Sequence, residues 1–256
     1  MLHKDRLPSV AHASLIDKFR FMDARKEAEC PPMELGADCY FALGVMLSES
    51  ACEVFVGGPS SGAYVAQPWP DADYVFVRFR PGRMPRLLDV SAKDLLDRSV
   101  GNIRRLLGQD MDNFCERLLR APDPASRQRL LEDLLAPLLE RPLCQDRRCL
   151  RALDHIDRGY RQVTVREVAQ ELGMSPRTLL RLFLDQVGLP PKRVLRHLRF
   201  QRAFEHIQRA EGNLNFADLA GEYGYTDQSH LIRECRLLAG KRPTELLAGL
   251  AARPSS

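Results

Sequence analysis

Toward its C-terminal end the chain writes one short pattern twice, at an offset of 51 to 52 residues, and this repeat constrains its fold more than any other feature. Ala169, Gly173, Met174 and Ser175 are answered by Ala220, Gly224, Tyr225 and Thr226, and Gly188 with Pro191 by Gly240 with Pro243. Between these anchors Leu179, Arg181 and Phe183 correspond to Leu231, Arg233 and Cys235, the offset slipping by one residue across the turn before Asp227. A small residue on one helix, a glycine at the turn and a capping residue before the next helix are the parts of a helix-turn-helix unit. Two such units in tandem are the natural reading.

In the first unit, predicted over residues 164–184, Val165, Val168, Ala169 and Leu172 recur at helical spacing, and Ala169 is small enough to let a second helix cross closely. Ser175 then caps a helix with Pro176 at its first position, where a missing N–H costs nothing. Leu179, Leu182 and Phe183 share one face of it, which leaves Arg177, Arg181 and Leu184 on the other. The second unit, over 215–237, repeats the design: Phe216, Leu219, Ala220 and Tyr223 support a helix capped by Thr226 or Asp227, with Leu231, Cys235 and Leu238 inward and Ser229, Arg233 and Arg236 outward. Any amphipathic surface helix can carry arginines, but two units in matching register point to docking in a major groove, where Arg offers paired donors to guanine. Leu180 and Ile232, each one residue before an outward arginine, either seal the edge of their own core or meet a thymine methyl.

Between the units, residues 192–209 read as one uninterrupted helix with a Phe200, Ala203, Phe204, Ile207 stripe. At about 1.5 Å per residue it spans roughly 27 Å, near enough to one DNA turn of ~34 Å for both units to enter successive grooves.

The stretches LGMSPRTLLRLF at 172–183, VGLPPKRVLRHLRFQRA at 187–203 and YGYTDQSHLIRECRLLAGKRPTE at 223–245 resemble the DNA-binding region of the AraC/XylS family of bacterial transcription regulators. The resemblance covers residues 151–250. It departs from the family at Cys235, where an aromatic is usual, and at Gly221 inside a supporting helix, which should cost about 1 kcal/mol. It implies double-stranded operator DNA as a partner, with RNA polymerase as a further one. Candidate base contacts are Arg177, Thr178, Leu180, Arg181, Gln228, Ser229, His230, Ile232 and Arg233. Candidate phosphate contacts are Ser175, Lys192, Arg193, Arg199, Arg236, Lys241 and Arg242, joined on the linking helix by Arg196 and Arg202.

Charge divides the chain in the same way. From Gln145 onward there are 19 Lys and Arg against 13 Asp and Glu, whereas the residues before it hold 19 against 21, so the net +4 hides a basic half and a slightly acidic one. Only the half with the repeat is built for a polyanion.

The expected class is α+β: a small antiparallel, cupin-like sensor domain over 1–142, a linker at 143–150, and the all-helical reader. Tyr40–Leu47, Cys52–Val56 and Tyr74–Phe79 are rich in β-branched and aromatic residues and are separated by turn material such as residues 57–62 and Pro68–Pro70. The stretch Val77–Gly82 also resembles a subset of the family with a cupin-like N-terminal domain. That resemblance implies a small-molecule effector, for which Tyr40, Phe41, Phe55, Tyr64, Trp69, Phe76, Arg78 and Arg80 are candidates. Aromatics on alternating strands are equally the makings of a core.

From 93 to 140 the pattern turns helical and ends in a leucine-dense segment, Leu130 to Leu139, which either packs on the sensor or pairs with a second copy in a homodimer. Residues 1–20 hold no apolar run long enough for a signal peptide or a membrane span, so a cytoplasmic location is expected. The seven cysteines lack framework spacing and are expected as thiols. Cys144 and Cys149 with His155 match no standard zinc spacing, and no metal or cofactor is expected. Thiol sensing through Cys30, Cys39 or Cys52, or alkyl-acceptor chemistry at one cysteine, is the alternative function. No P-loop, dinucleotide or nucleophile-elbow motif is present, which argues against an enzyme.

Overall fold

The computed structural model describes residues 2–23, 32–49, 51–84, 92–101, 103, 111–139, 146–210 and 214–251. Its first half is a six-stranded antiparallel sheet in the order β1 (Leu2–Arg6), β2 (Ile16–Asp23), β7 (Asp73–Phe79), β4 (Phe41–Leu47), β5 (Cys52–Gly57), β8 (Ser99–Val100). A two-stranded ribbon, β3 (Met33–Leu35) with β6 (Tyr64–Ala66), lies apart from it. The three strands expected from sequence are β4, β5 and β7. The pair β1 and β2 was not foreseen, because charged residues break the apolar run; in β2 only Ile16, Phe19 and Phe21 of the sequence IDKFRFMD turn to the core.

Alternation decides the two faces of the sheet. Leu43, Val45 and Leu47, Val54 and Val56, and Val75, Val77 and Phe79 face one way and pack against α1 (Met111–Arg120) and α2 (Pro124–Leu139). Each fully buried side chain of this kind contributes about 1.5–3 kcal/mol. Leu131, Leu134 and Leu135 of the leucine-dense segment are buried in this core, so that face of α2 is spent on the chain's own sheet. The expectation of helix throughout 93–140 is corrected at Ser99–Val100, which pairs with β5 through Val56 and Gly57, and a 3-10 turn, Ala92–Leu95, precedes it.

The second half is helical. α3 (Arg147–Gly159) starts four residues earlier than the expected reader boundary and takes up the second part of the expected linker, because the Asp146 side chain caps it on the Arg148 amide. Residues 143–145, with Cys144, lie outside the described residues. α4 (Val165–Glu171) opens with a Thr164/Glu167 capping box, and α5 (Pro176–Gln186) follows behind Gly173, whose φ of 63° is the left-handed turn. α6 (Pro191–Arg209) is the long linking helix. α7 (Phe216–Glu222), α8 (Gln228–Ala239) and α9 (Pro243–Ala251) complete the chain. No described helix is long and apolar enough to cross a membrane.

Candidate nucleic-acid interface

The repeat is realised as two helical cores. Val168, Ala169, Leu179 and Phe183 are buried with residues of α3 and α6 in the first; Leu219, Ala220, Leu231, Cys235 and Leu238 are buried with Phe200, Ala203 and Ile207 in the second. The departure at Cys235 has a physical counterpart. Where the first unit has Met174 and Phe183, the second has Tyr225 and Cys235, so the aromatic ring has moved from the second helix to the turn before it. Cys235 is fully buried and Tyr225 nearly so. A Cβ on Gly221 would meet nothing, consistent with its exposed place on α7.

Caps fix where each second helix begins. The Ser175 hydroxyl accepts from the Thr178 amide at 3.1 Å, and the Asp227 carboxylate accepts from the His230 amide at 2.7 Å. Past those caps Arg177, Arg181, Gln228, Ser229 and Arg233 are exposed, while Thr178 and Ile232 are half-buried and Leu180 is 41% exposed. His230 is committed locally: its Nδ1 lies 3.1 Å from the Thr226 hydroxyl, and its ring meets Tyr225 edge-on.

Of the expected phosphate ligands, Lys192, Arg193, Arg236, Lys241 and Arg242 are exposed, and Ser175 is the α5 cap. Arg199 is turned inward, donating to the carbonyls of Tyr160 at 3.1 Å and Arg161 at 3.3 Å. Arg196 makes a two-pronged pair with Glu234 on α8, and Arg202 reaches Asp157 at 3.1 Å. These three arginines brace the units against α3 and α6. Glu234, buried at 7% exposure, gave no sequence signal beyond being an acid on the inner face of a recognition helix.

The expected effector residues fall into separate groups. Across the sheet Arg20, Phe76, Gly44 and Phe55 form one row of cross-strand neighbours on the face away from α1 and α2, with Lys18 and Arg78 in the row on one side and Met22, Tyr74 and Met46 in the row on the other. Gly44 is required there, since a Cβ would lie 2.2 Å from the Phe55 ring. Phe55 and Phe76 meet edge-on at 5.9 Å. Arg78 pairs with Asp17 at 2.8 Å and lies 3.9 Å over the Tyr40 ring. Burial works against its charge, but Tyr40, Asp17 and Asp38 hold it protonated. Lys18 and Arg20 both pair with Asp5, at 2.9 and 2.8 Å. Phe41 belongs to the main core, Arg80 donates to the Ala13 carbonyl, and Tyr64 and Trp69 stand 51% and 69% exposed, outside any cluster. Sequence reading missed Lys18, Arg20, Asp5 and Asp17, which the pairing of β2 with β1 and β7 brings together, and Asp38, which lies near Arg78 from the segment before β4.

Burial also shapes the thiols. It pushes Cys39 up, and Cys149 and Cys235 up to about 12, so each stays protonated near neutrality and is a poor nucleophile. Cys52 is buried as well, and Cys30 lies outside the described residues. Among the described residues no cluster of potential ligands could hold a metal ion.

Residues 168–249, which span the turn of the first unit and the whole of the second, match the family model described as a helix-turn-helix domain. The chain therefore carries a helix-turn-helix domain in its second half. Its overall fold is that of ToxT from Vibrio cholerae: the apo form of a variant is 11% identical, aligning over 96% of this chain and 100% of that one with a TM-score of 0.50. ToxT with an unsaturated fatty acid bound is 10% identical over 93% and 97%, also at 0.50. A transcriptional regulator of Chromobacterium violaceum with an AraC-type DNA-binding domain is 21% identical, aligning with 42% of this chain and 96% of its own, at a TM-score of 0.38. A search of curated proteins gave no match.

Proposed function

We propose that this regulator reads a bipartite operator, with α5 and α8 lying in successive major grooves and α6 spanning the interval between them. The observation that carries the reading is the pair of capped helices whose exposed first turns present Arg177 with Arg181 and Gln228 with Arg233. Arg181 and Arg233 are the principal base readers in their half-sites, and Lys192, Arg193, Arg236, Lys241 and Arg242 supply phosphate contacts. Selection from random duplex DNA tests this: two half-sites about one helical turn apart should emerge. Affinity for the selected site should fall log-linearly between about 50 and 200 mM salt, with a slope reporting ~6 to 10 phosphates. A selected site of one half, or affinity indifferent to salt, refutes the reading.

Control is assigned to the sheet face that runs from Lys18, Arg20 and Arg78 across Phe55 and Phe76 to the methionines. A charged end and an apolar body suit an amphiphilic anion, and ToxT, of the same fold, was solved with an unsaturated fatty acid. Titrating such a fatty acid against the protein on its selected operator should change DNA affinity. Replacement of Phe76 by Asp should abolish that response.

A further inference from the structure

The sheet half grips both recognition helices, and it grips them at the ends that face away from the capped, basic turns. Residues 36–40 run between the two helix-turn-helix units. The Ala37 amide donates to the Leu238 carbonyl at 2.6 Å, and Leu238 lies in the last turn of α8, where a carbonyl has no partner within its own helix. Ala37 is buried in the core of the second unit. Only two residues later, Cys39 and Tyr40 are buried in the core of the first, with Leu179, Phe183, Leu189 and Val194. Between them the backbone of Asp38 is hydrogen-bonded to the buried His197 ring on α6, and its carbonyl accepts from the Ser60 amide at 3.0 Å, which ties the segment to the sheet half. Arg78 closes over Tyr40 from the sheet.

A second hold lies on the first unit. The turn Ala92–Leu95 packs against α5, Leu96 joins the core of that unit, and Gly188, just past the end of α5, has a φ of 79° and comes so close that a Cβ would lie 2.6 Å from the Ala92 carbonyl.

We infer that residues 36–40 are a specificity determinant of the DNA reader: by bracing the second unit against the first, they fix the half-site spacing that the protein accepts. The inference rests on the proposed reading that both units dock at once. The physical argument is that α6 and the turn after α3, where Tyr160 stacks on Tyr223 and Arg161 meets Gly224, join the units near the start of α8, and residues 36–40 add a tie at its far end, at Leu238, that limits rocking about those contacts. An insertion of one base pair turns a half-site by about 34° and moves it ~3.4 Å, a shift that a braced pair cannot follow without deforming the duplex.

The test uses the full chain, as wild type and as Ala37→Pro, which removes the donor to Leu238, and Gly36→Val, whose side chain would enter the 2.9 Å space before the same carbonyl. Each is measured on duplexes carrying the wild-type selected site with its centre unchanged or lengthened or shortened by one base pair. Wild type should lose at least about tenfold in affinity on either change, and the variants less than about threefold, with base preferences inside each half-site unchanged. Hydrogen exchange over residues 231–239, faster in a variant than in wild type, reports that the brace has opened. An opened brace with the full spacing penalty overturns the inference, whatever the absolute affinity. Wild type selecting a single half-site removes the two-groove reading itself, a different result from the first. If Ala37→Pro does not fold, Gly36→Val gives the same readout.

Discussion

Acid should act on this protein through His197, and the size of the effect can be worked out in advance. The ring is 3% exposed on α6, facing Arg193 and Arg196 on its own helix, Glu234 on α8 and the backbone of Asp38. Burial, aided by the two arginines, lowers its pKa from 6.5 to about 4. Between those values the unfolded ring carries a proton that the folded ring refuses, so unfolding takes up a proton and acid favours it. Stability from this group is whole above pH 6.5 and is lost as the pH falls toward 4, a swing of about 3 kcal/mol at ~1.36 kcal/mol per pH unit. Asp38 runs the other way. Burial raises its carboxyl to about 6, so the folded state holds a proton there that the unfolded state releases, and this contribution is lost as the pH rises through 6. The two windows overlap, and wild type should show a muted response from the pair. Urea unfolding of wild type, His197→Leu and Asp38→Asn at pH 4.5, 5.5 and 7 separates them. The stability difference between wild type and His197→Leu should move by ~2 to 3 kcal/mol over that range, with wild type losing ground in acid, because the lost hydrogen bond to Asp38 weighs equally at every pH. Asp38→Asn should instead fall more steeply in acid than wild type. If both differences are flat with pH, the ring and the carboxyl are not held in the protonation states argued here.

Replacing Arg181 or Arg233 by Ala should cost about 1–3 kcal/mol on the selected operator and relax base preference in one half-site only, read by competition against single-base variants; a uniform loss over all sequences makes them phosphate contacts. Uracil in place of thymine at one base pair in each half-site should weaken wild type, and Leu180→Ala or Ile232→Ala should abolish that sensitivity in its own half; variants that melt early yet keep the sensitivity mark these residues as core. Cys235→Phe should destabilise by ~1–3 kcal/mol through overpacking against Tyr225, and Tyr225→Met should recover most of it in the double variant. An additive pair would show that the ring has not been exchanged between the two positions.

The helical half was nearly all legible, since its anchors are residues whose physics is local: Gly173 and Gly224 at turns, Ser175 and Asp227 at caps, and apolar stripes of helical period. What escaped there was α3, whose cap Asp146 sits in a charged stretch that reads as linker, and α9, a short apolar helix after the last repeat anchor. The sheet half was legible only where strands are continuously apolar. β1 and β2 carry Asp5, Lys18 and Arg20, which look like solvated charge until cross-strand pairing gathers them on one face of the sheet. Tyr40 and Arg78 were picked out as ligand residues, yet Tyr40 spends its ring in the core of the first unit. Nothing local in Gly36–Tyr40 announces that it bridges two cores more than a hundred residues further on.

If both units dock on one duplex as proposed, the length of α6 is frozen by two incommensurate screws. One added residue would turn everything beyond it by about 100° while advancing it only ~1.5 Å, so the second unit would point its basic turn away from the duplex. Adding 7 or 11 residues nearly restores the helix phase but moves the unit by ~10 to 17 Å, a fraction of the ~34 Å DNA turn, and so lands it on the wrong side of the double helix. No small insertion satisfies both periods. Variation among proteins built this way must therefore enter through the side chains of α5 and α8 and through the sheet half, and the span of α6 is the part of the design that drift cannot adjust.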